Sequence, residues 1–215
     1  METVFSAPAR PDEPLPEWTD GTDPRSSPEV VRHFLERHSG PGDVVLDPFA
    51  GFGTTLVVAE SMDREAWGVE YDGERAEYVR ERVDHPERVR QGDARSLGGL
   101  DLPTADCAFT SPPYTVEGAT DDPFQNYGGE SAYEHYLANV DWVAAGLADL
   151  LAADGTLVMQ VSNLVHDGRT TTLAWDVADV VRDHLRFERE VVIRWEDGPK
   201  YGYDHAYGLV FSNED

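Results

Sequence analysis

Short apolar runs alternate with stretches of helical periodicity along most of this chain, and that alternation restricts the folds it can adopt. Apolar runs predict strands at residues 44–46, 66–69, 89, 106–110 and 156–161. Helices are predicted between them, at 28–38, 54–62, 73–83, 133–152 and 171–185, and a final strand pair at 187–195 and 207–211. The pattern predicts an α/β fold whose mostly parallel, seven-stranded sheet carries helices on both faces.

The chain is predicted to form one domain preceded by an arm. Residues 1–27 hold five prolines and few long apolar side chains, and we expect them to lie on the domain or to be partly mobile. Residues 28–215 contain no linker or repeat and fit a single domain. The start has no signal-peptide pattern and no run of about 18 apolar residues occurs. We therefore expect a cytoplasmic protein without a membrane span.

The charge of the chain is strongly negative. Forty-two acidic residues face seventeen basic ones, which gives a net charge of −25, and Lys200 is the only lysine. One interpretation is a protein that repels nucleic acid in ordinary buffer. The other is a protein that works in molar salt, where a Debye length of about 3 Å screens such repulsion. We favour the second, because the composition resembles cytoplasmic proteins of salt-accumulating archaea; the charge then indicates a halophilic setting and not a binding partner.

A glycine-rich turn is predicted between the first of these strands and the helix that follows it. Residues 47–55 read DPFAGFGTT. Glycines let the backbone turn sharply and let a ligand approach closely, and the helix start adds free N–H groups. The dinucleotide fingerprint fits poorly, because Leu56 replaces its third glycine and Pro48 precedes the turn. The turn therefore predicts a ligand site of another kind.

Two acidic residues follow the next two strands. Glu70 is the last residue of the second strand, nineteen residues after Gly51. It is placed to accept hydrogen bonds from the hydroxyls of a ribose. Asp93 follows Gly92 after the third strand and is placed to accept an adenine amino group. Either acid alone also fits a solvated side chain. Both follow the carboxyl ends of strands, where open parallel sheets bind ligands, so their conjunction predicts a nucleoside-containing ligand.

A rigid corner ends the fourth strand, with the sequence Ser111-Pro112-Pro113-Tyr114. Two prolines prevent the strand from continuing and stiffen the backbone. The corner thereby fixes a side-chain oxygen and nearby carbonyls as acceptors, and it directs an aromatic ring. Such acceptors hold an exocyclic NH₂ group while a ring stacks on a base that has left its helix.

These two motifs together resemble the amino-methyltransferases that modify exocyclic nitrogens in DNA. Residues 47–55 resemble motif I of that family, and 111–114 resemble its catalytic motif IV in the serine form associated with cytosine N4. Residues 41–43 resemble the end of motif X, and 207–211 resemble the closing strand. The resemblance covers roughly residues 25–212 and implies a class I, Rossmann-like methyltransferase that uses S-adenosylmethionine.

The resemblance also implies a role for each matched residue. Glu70 would hold the ribose of the cofactor and Asp93 its adenine, while Ser111 and the Pro112 carbonyl would orient the target amine and Tyr114 would stack on the base. No metal and no covalent intermediate is required. The predicted cofactor-binding residues are Asp47, Pro48, Phe49, Gly51, Gly53, Thr54, Glu70 and Asp93, and the predicted catalytic residues are Ser111, Pro112, Pro113 and Tyr114.

The expected substrate is a nucleic-acid base, most simply cytosine N4 in DNA. An RNA base is the alternative, because the chain offers little bulk for recognising duplex DNA and RNA loops already present unstacked bases. Residues 115–132 and 196–206 are the predicted substrate loops. The first contains Phe124 and Tyr127, and we expect a mobile lid there, with an ordinary surface loop as the alternative. The oligomeric state is left open.

Other function classes fit the motifs less well. Enzymes that methylate protein glutamine normally show asparagine where Ser111 stands. A NAD-dependent oxidoreductase is disfavoured by the missing third glycine of its fingerprint. A cofactor-binding module without catalysis is disfavoured by the intact Ser-Pro-Pro-Tyr corner.

The remaining candidate residues receive structural predictions. Cys107 lies mid-strand and is expected in the core, so it is not a nucleophile, and the histidines show no metal spacing. Trp142 and Leu147 on the long helix are expected in the core. His205 is expected to be a solvated residue in the loop before the last strand, with a substrate contact as the alternative. A weak basic and aromatic group at the rim of a substrate cleft is the other possibility considered, formed by Arg194, Trp195, Lys200 and Tyr203.

Overall fold

Strands and helices alternate along most of the chain, as the sequence predicts. The computed structural model describes residues 3–19, 24–119, 123–124, 132–200 and 202–214. The strands in these ranges are β1 (Val4–Ala7), β2 (Val44–Asp47), β3 (Glu65–Glu70), β4 (Val89–Gln91), β5 (Ala105–Thr110), β6 (Leu151–Val161), β7 (Leu164–His166), β8 (Arg169–Thr171), β9 (Arg186–Trp195) and β10 (His205–Ser212). The α-helices are α1 (Pro28–His38), α2 (Thr54–Glu60), α3 (Gly73–Arg80), α4 (Ala132–Leu150) and α5 (Leu173–Val181).

The main sheet has the strand order β1-β9-β10-β6-β5-β2-β3-β4, and β7 pairs with β8 in a separate hairpin. Every neighbouring pair of the main sheet is parallel except those that involve β10. Parallel neighbours need a crossover connection, whereas β10 follows β9 without a helix and therefore returns antiparallel. The sheet has eight strands and not seven, because β1 from the predicted arm adds to its edge beside β9.

Local sequence explains where the helices begin. Ser27 precedes α1, and its hydroxyl accepts a hydrogen bond from the Val30 N–H at 3.3 Å, with Pro28 at the first helical position. Asp72 caps α3 in the same manner, accepting from two backbone N–H groups. The helix predicted over 171–185 is shorter at both ends, and at its start strand β8 extends to Thr171.

Two apolar layers enclose the sheet. One contains side chains of α4 and α5, and the other contains those of α1, α2 and α3. Cys107 is fully buried, as predicted. Leu147 is buried too, but the prediction for Trp142 is wrong, since that side chain is 54% exposed. Five residues turn a helix by roughly 140° beyond a full turn, so these two positions do not share one narrow face.

Side chains of the closing strands fit tightly against α1. A Cβ atom added to Gly208 of β10 would lie 2.1 Å from Cζ of Phe34. Phe34 is 1% exposed, so its ring occupies the space that a side chain at position 208 would need. In the described part of the chain, none of the helices combines the length and the apolar content needed to cross a bilayer.

Candidate active site

A crevice, called here the sheet-edge crevice, opens at the carboxyl ends of β2, β3, β4 and β5. The residues that directly follow neighbouring parallel strands lie at the same edge of the sheet. Motifs that are distant in the sequence are therefore close together there. Most of the predicted cofactor and catalytic residues line it: Asp47, Pro48, Phe49, Gly51, Thr54, Glu70, Asp93, Ser111 and Pro113. Gly53, Pro112 and Tyr114 are absent from this lining.

The glycine turn leaves open space at the crevice. Gly51 has φ +55°, and a Cβ there would meet only the Phe49 carbonyl at 3.8 Å, so a ligand is able to approach its backbone. Gly53 has φ +83° for another reason: a Cβ there would lie 2.9 Å from Val79 of α3. Gly53 therefore lies behind the turn, and its predicted contact with the cofactor stays a prediction.

Asp47 presents a fixed carboxylate at the base of the crevice. It is 4% exposed and accepts hydrogen bonds from the Thr110 hydroxyl at 2.8 Å and the Phe49 N–H at 3.0 Å. Burial raises the pKa of Asp47 above its ordinary value, and hydrogen bonds from Thr55, Thr110 and Phe49 oppose that rise. The orientation of this carboxylate is therefore set before any ligand arrives.

Glu70 connects the glycine turn to the second strand of the site. The Gly51 N–H donates to its Oε2 at 2.7 Å and the Asp72 N–H donates to its Oε1 at 2.9 Å. Burial raises the pKa of Glu70, while these two backbone donors lower it. A carboxylate offers about four lone-pair positions, so two remain for the hydroxyls of a ligand.

Asp93 is engaged by a residue that sequence analysis missed. The backbone N–H and the Nε of Arg95 each lie 2.9 Å from Asp93 Oδ1. Hydrogen bonding from the Arg95 guanidinium holds the pKa of Asp93 below its ordinary value. Arg95 also reaches Asn139 at 3.3 Å. An adenine amino group at Asp93 would share its oxygens with Arg95. A basic residue two positions after the acid is the sequence signal that was available and was not used.

The Ser-Pro-Pro-Tyr corner has a defined hydrogen-bond direction. The Tyr114 hydroxyl donates to the Gln160 carbonyl at 2.9 Å and lies 3.2 Å from Ser111 Oγ. A phenol has one proton, so the Ser111 hydroxyl must be the donor in the contact with Tyr114. Both lone pairs of Ser111 Oγ then stay available as acceptors. The Tyr114 side chain packs against the apolar layer of α4 and α5.

Part of the N-terminal segment also lines the crevice, which the sequence did not indicate. Pro24, Arg25 and Ser26 contribute to the lining. Arg25 is 6% exposed and donates to the Glu13 carbonyl at 2.7 Å. The predicted arm is therefore a wall of the site as well as an edge strand.

The predicted basic and aromatic rim group is wrong for two of its members. Lys200 is 7% exposed, and its Nζ donates to the carbonyls of Ala9 at 3.2 Å and Arg25 at 3.1 Å, so it ties the loop between β9 and β10 to the crevice wall. Trp195 is 5% exposed and lies in the core. Arg194 is exposed and donates to the Ser6 hydroxyl at 3.1 Å. Tyr203 belongs to a different aromatic group, whose His205 ring lies 5.4 Å from its own.

His205 is the first residue of β10 and not a solvated loop residue. Its side chain is 25% exposed, and its Nε2 lies 3.0 Å from the Tyr207 hydroxyl. The strand extends two residues beyond the predicted start at 207, because His205 pairs with Arg194 of β9.

The loop predicted to be a lid is described only in part. Tyr127 and the ranges 120–122 and 125–131 lie outside the described residues. Phe124 is described: it lines the crevice, is 8% exposed, and its ring centroid lies 5.7 Å from that of Phe49. The lid stays a prediction.

Comparison with known proteins supports the family resemblance. Residues 24–81 match a family model described as DNA methylase. Type II methyltransferase M.SmaI of Serratia marcescens is 51% identical over 45 residues, which are 21% of this chain and 15% of that protein. The tRNA (guanine(10)-N2)-dimethyltransferase of Methanothermobacter thermautotrophicus is 32% identical over 129 residues, 57% of this chain and 35% of that protein. The matches thus span well under half the length of either relative.

The fold is shared with solved methyltransferase structures. TrmN from Thermus thermophilus superposes with a TM-score of 0.64 at 19% identity, covering 86% of this chain and 48% of that one. At that identity the likeness shows the fold alone, and it confirms the predicted class I, Rossmann-like architecture. Another structure of this fold contains bound SAH. The family match indicates S-adenosylmethionine as the cofactor.

Proposed function

We propose that the protein transfers a methyl group from S-adenosylmethionine to the exocyclic amine of a nucleic-acid base, with cytosine N4 in DNA as the target. One observation carries the proposal: Ser111, an oriented acceptor, opens into the same crevice as Asp47 and Glu70. The serine form of the motif supports cytosine. The family match and the M.SmaI relative support DNA.

The crevice fits the cofactor by the chemistry of its donors and acceptors. Glu70 retains two acceptor positions for ribose hydroxyls, and the open face at Gly51 leaves room for the methionine portion. The fixed carboxylate of Asp47 suits the cationic methionine amine. When bound, S-adenosylmethionine supplies a methyl group on a positively charged sulfur, which needs no further activation.

The chain's own contribution is to orient a weak nucleophile. The lone pair of a cytosine amine is delocalised into the ring, and hydrogen bonds from its two N–H groups to fixed acceptors favour a pyramidal nitrogen with a directed lone pair. Ser111 Oγ would supply one acceptor, and the Pro112 carbonyl is the predicted second. Positioning of this kind lowers a barrier by as much as about 7–11 kcal/mol. A hydroxyl and a carbonyl are not bases at neutral pH, so the amine proton leaves to solvent.

An RNA base amine is a second candidate target. The match to the tRNA dimethyltransferase extends over 57% of this chain, compared with 21% for M.SmaI. Single-stranded RNA regions also present bases without the cost of extrusion from a duplex.

The deciding experiment is methylation of defined nucleic acids, followed by mass spectrometry of the nucleosides. The purified chain is incubated with labelled S-adenosylmethionine in molar KCl and in ordinary buffer, with duplex DNA, single-stranded DNA or RNA. N4-methyldeoxycytidine would support the proposal, and N4-methylcytidine the RNA candidate. N6-methyladenine would overturn the cytosine assignment. Cofactor binding without methylation of any nucleic acid would overturn the proposed function.

Tyr114→Phe tests whether the tyrosine hydroxyl orients Ser111. The substitution keeps the ring but removes the acceptor for the Ser111 proton, so kcat is expected to fall roughly tenfold, the equivalent of one positioned hydrogen bond. The Kd for S-adenosylmethionine is expected to stay unchanged. Tyr133→Phe is the matched control, because that hydroxyl donates to Asp176 of α5, away from the crevice lining. Unchanged kcat in Tyr114→Phe, with a large loss in Tyr114→Ala, would show that only the ring matters.

A further inference from the structure

Four rings form a second aromatic group beside the catalytic corner. This aromatic patch consists of Trp175 on α5, Tyr203 just before β10, and His205 and Tyr207 at the start of β10. The centroids of Trp175 and Tyr207 are 4.9 Å apart, and His205 lies edge-on to Tyr207 at 5.2 Å and to Tyr203 at 5.4 Å. Trp175 is 41% exposed. The patch therefore presents a ring surface to solvent.

The patch is connected to the catalytic corner through strand β6. The Tyr114 hydroxyl donates to the Gln160 carbonyl, and the next residue of β6, Val161, pairs with Tyr207 of β10. Ser111 lies at the crevice directly after β5, and the patch lies at β10, two strands along the sheet from β5. A polymer whose target unit enters at Ser111 would pass this surface with a neighbouring unit.

The charge of the chain determines how such a polymer is able to bind. Proteins usually hold nucleic acid through lysine and arginine contacts to phosphates, which salt weakens. This chain has a net charge of −25, and acidic residues border the patch at Asp176, Glu190 and Asp204. Arg194, which pairs with His205, is a nearby cation. The acidic residues around the patch therefore repel phosphates, whereas base stacking on aromatic rings needs no positive charge.

We propose that the aromatic patch is a stacking platform for an unpaired nucleotide next to the target base in a single strand of nucleic acid. This inference rests on the proposed function and specifies how its substrate is held. Trp175 offers the largest exposed ring, and Tyr207 supports it from the sheet. Because stacking and not phosphate contact provides the affinity, binding is not weakened by molar salt.

Oligonucleotide binding to a Trp175 variant tests the platform. Fluorescence anisotropy is measured with short single-stranded DNA and RNA of one sequence, both in ordinary buffer and in molar KCl. Trp175→Ala is expected to weaken binding by about 5- to 150-fold, the range for loss of one stacked base. Trp175→Phe should restore most of the affinity. Trp142→Ala is the matched control, since that tryptophan is 54% exposed on α4. The Kd for S-adenosylmethionine should stay unchanged in all three.

Several results would overturn the platform. Equal affinity in Trp175→Ala and the wild type would do so, as would an equal loss in Trp142→Ala, or wild-type affinity that falls steeply with salt. Light scattering tests whether the patch binds a second copy of the chain instead. A wild-type dimer that Trp175→Ala converts to a monomer would assign the patch to that contact. If the wild type methylates a strand and Trp175→Ala leaves KM unchanged, only the platform is wrong. If the wild type methylates no strand, the proposed function fails as well.

Discussion

Glu70→Gln is expected to weaken S-adenosylmethionine binding by about 100-fold. Hydrogen bonds to a charged group contribute roughly 1.5–3 kcal/mol each, and the substitution removes the charge from the predicted ribose contact. It also turns an amide N–H₂ toward Gly51 or Asp72, whose N–H groups now donate to the carboxylate at 2.7 and 2.9 Å. The glycine turn therefore loses an anchor at the same time. Titration calorimetry with the purified chain measures the change.

Glu74→Gln provides the control for that substitution. Glu74 is exposed in the first turn of α3 and absent from the crevice lining, so the same chemical change there should leave cofactor affinity as it was. Thermal unfolding of both variants separates binding from stability. A Glu70→Gln protein that binds the cofactor as the wild type does would show that Glu70 serves the turn alone, and the predicted ribose contact would be wrong.

Gly208→Ala is expected to destabilise the fold by about 3 kcal/mol or more. The added Cβ would lie 2.1 Å from Cζ of Phe34 and 2.8 Å from both Cε atoms, distances that packed carbon atoms do not adopt. Phe34 is 1% exposed between the sheet and α1, so neither the ring nor the strand has room to move. Overpacking a tight core typically costs about 1–3 kcal/mol, and this contact is at the severe end. Denaturant unfolding gives the difference directly.

A second substitution shows whether the steric account is right. Phe34→Leu in the Gly208→Ala background removes the ring atoms that clash, and part of the lost stability should return although Phe34→Leu alone is destabilising. Gly98→Ala is the control, because a Cβ there would meet nothing within 4 Å. A Gly208→Ala protein as stable as the wild type would contradict the expected clash. So would a double variant that loses more stability than the two single substitutions lose together.

The sequence determined the fold class and the meeting point of the motifs. Apolar runs that alternate with helical periodicity specify parallel strands with crossover helices. The residues that follow such strands lie at one edge of the sheet. Asp47, Glu70, Asp93 and Ser111 therefore come together although they are far apart in the chain. The extent of the helix over 28–38 and the core position of Cys107 were equally predictable, because each follows from a local pattern.

Only the tertiary structure decided which distant residues complete the site. Lys200 bonds to backbone carbonyls of Ala9 and Arg25, and a carbonyl carries no sequence signal because every residue has one. The Tyr114 hydroxyl likewise donates to a backbone carbonyl of β6. That hydrogen bond makes the Ser111 hydroxyl the donor in its contact with Tyr114. Periodicity describes one element at a time, so it does not tell which distant backbone groups meet. Long-range hydrogen bonds and close packing exist only once the elements have assembled, and they set the geometry on which the chemistry depends.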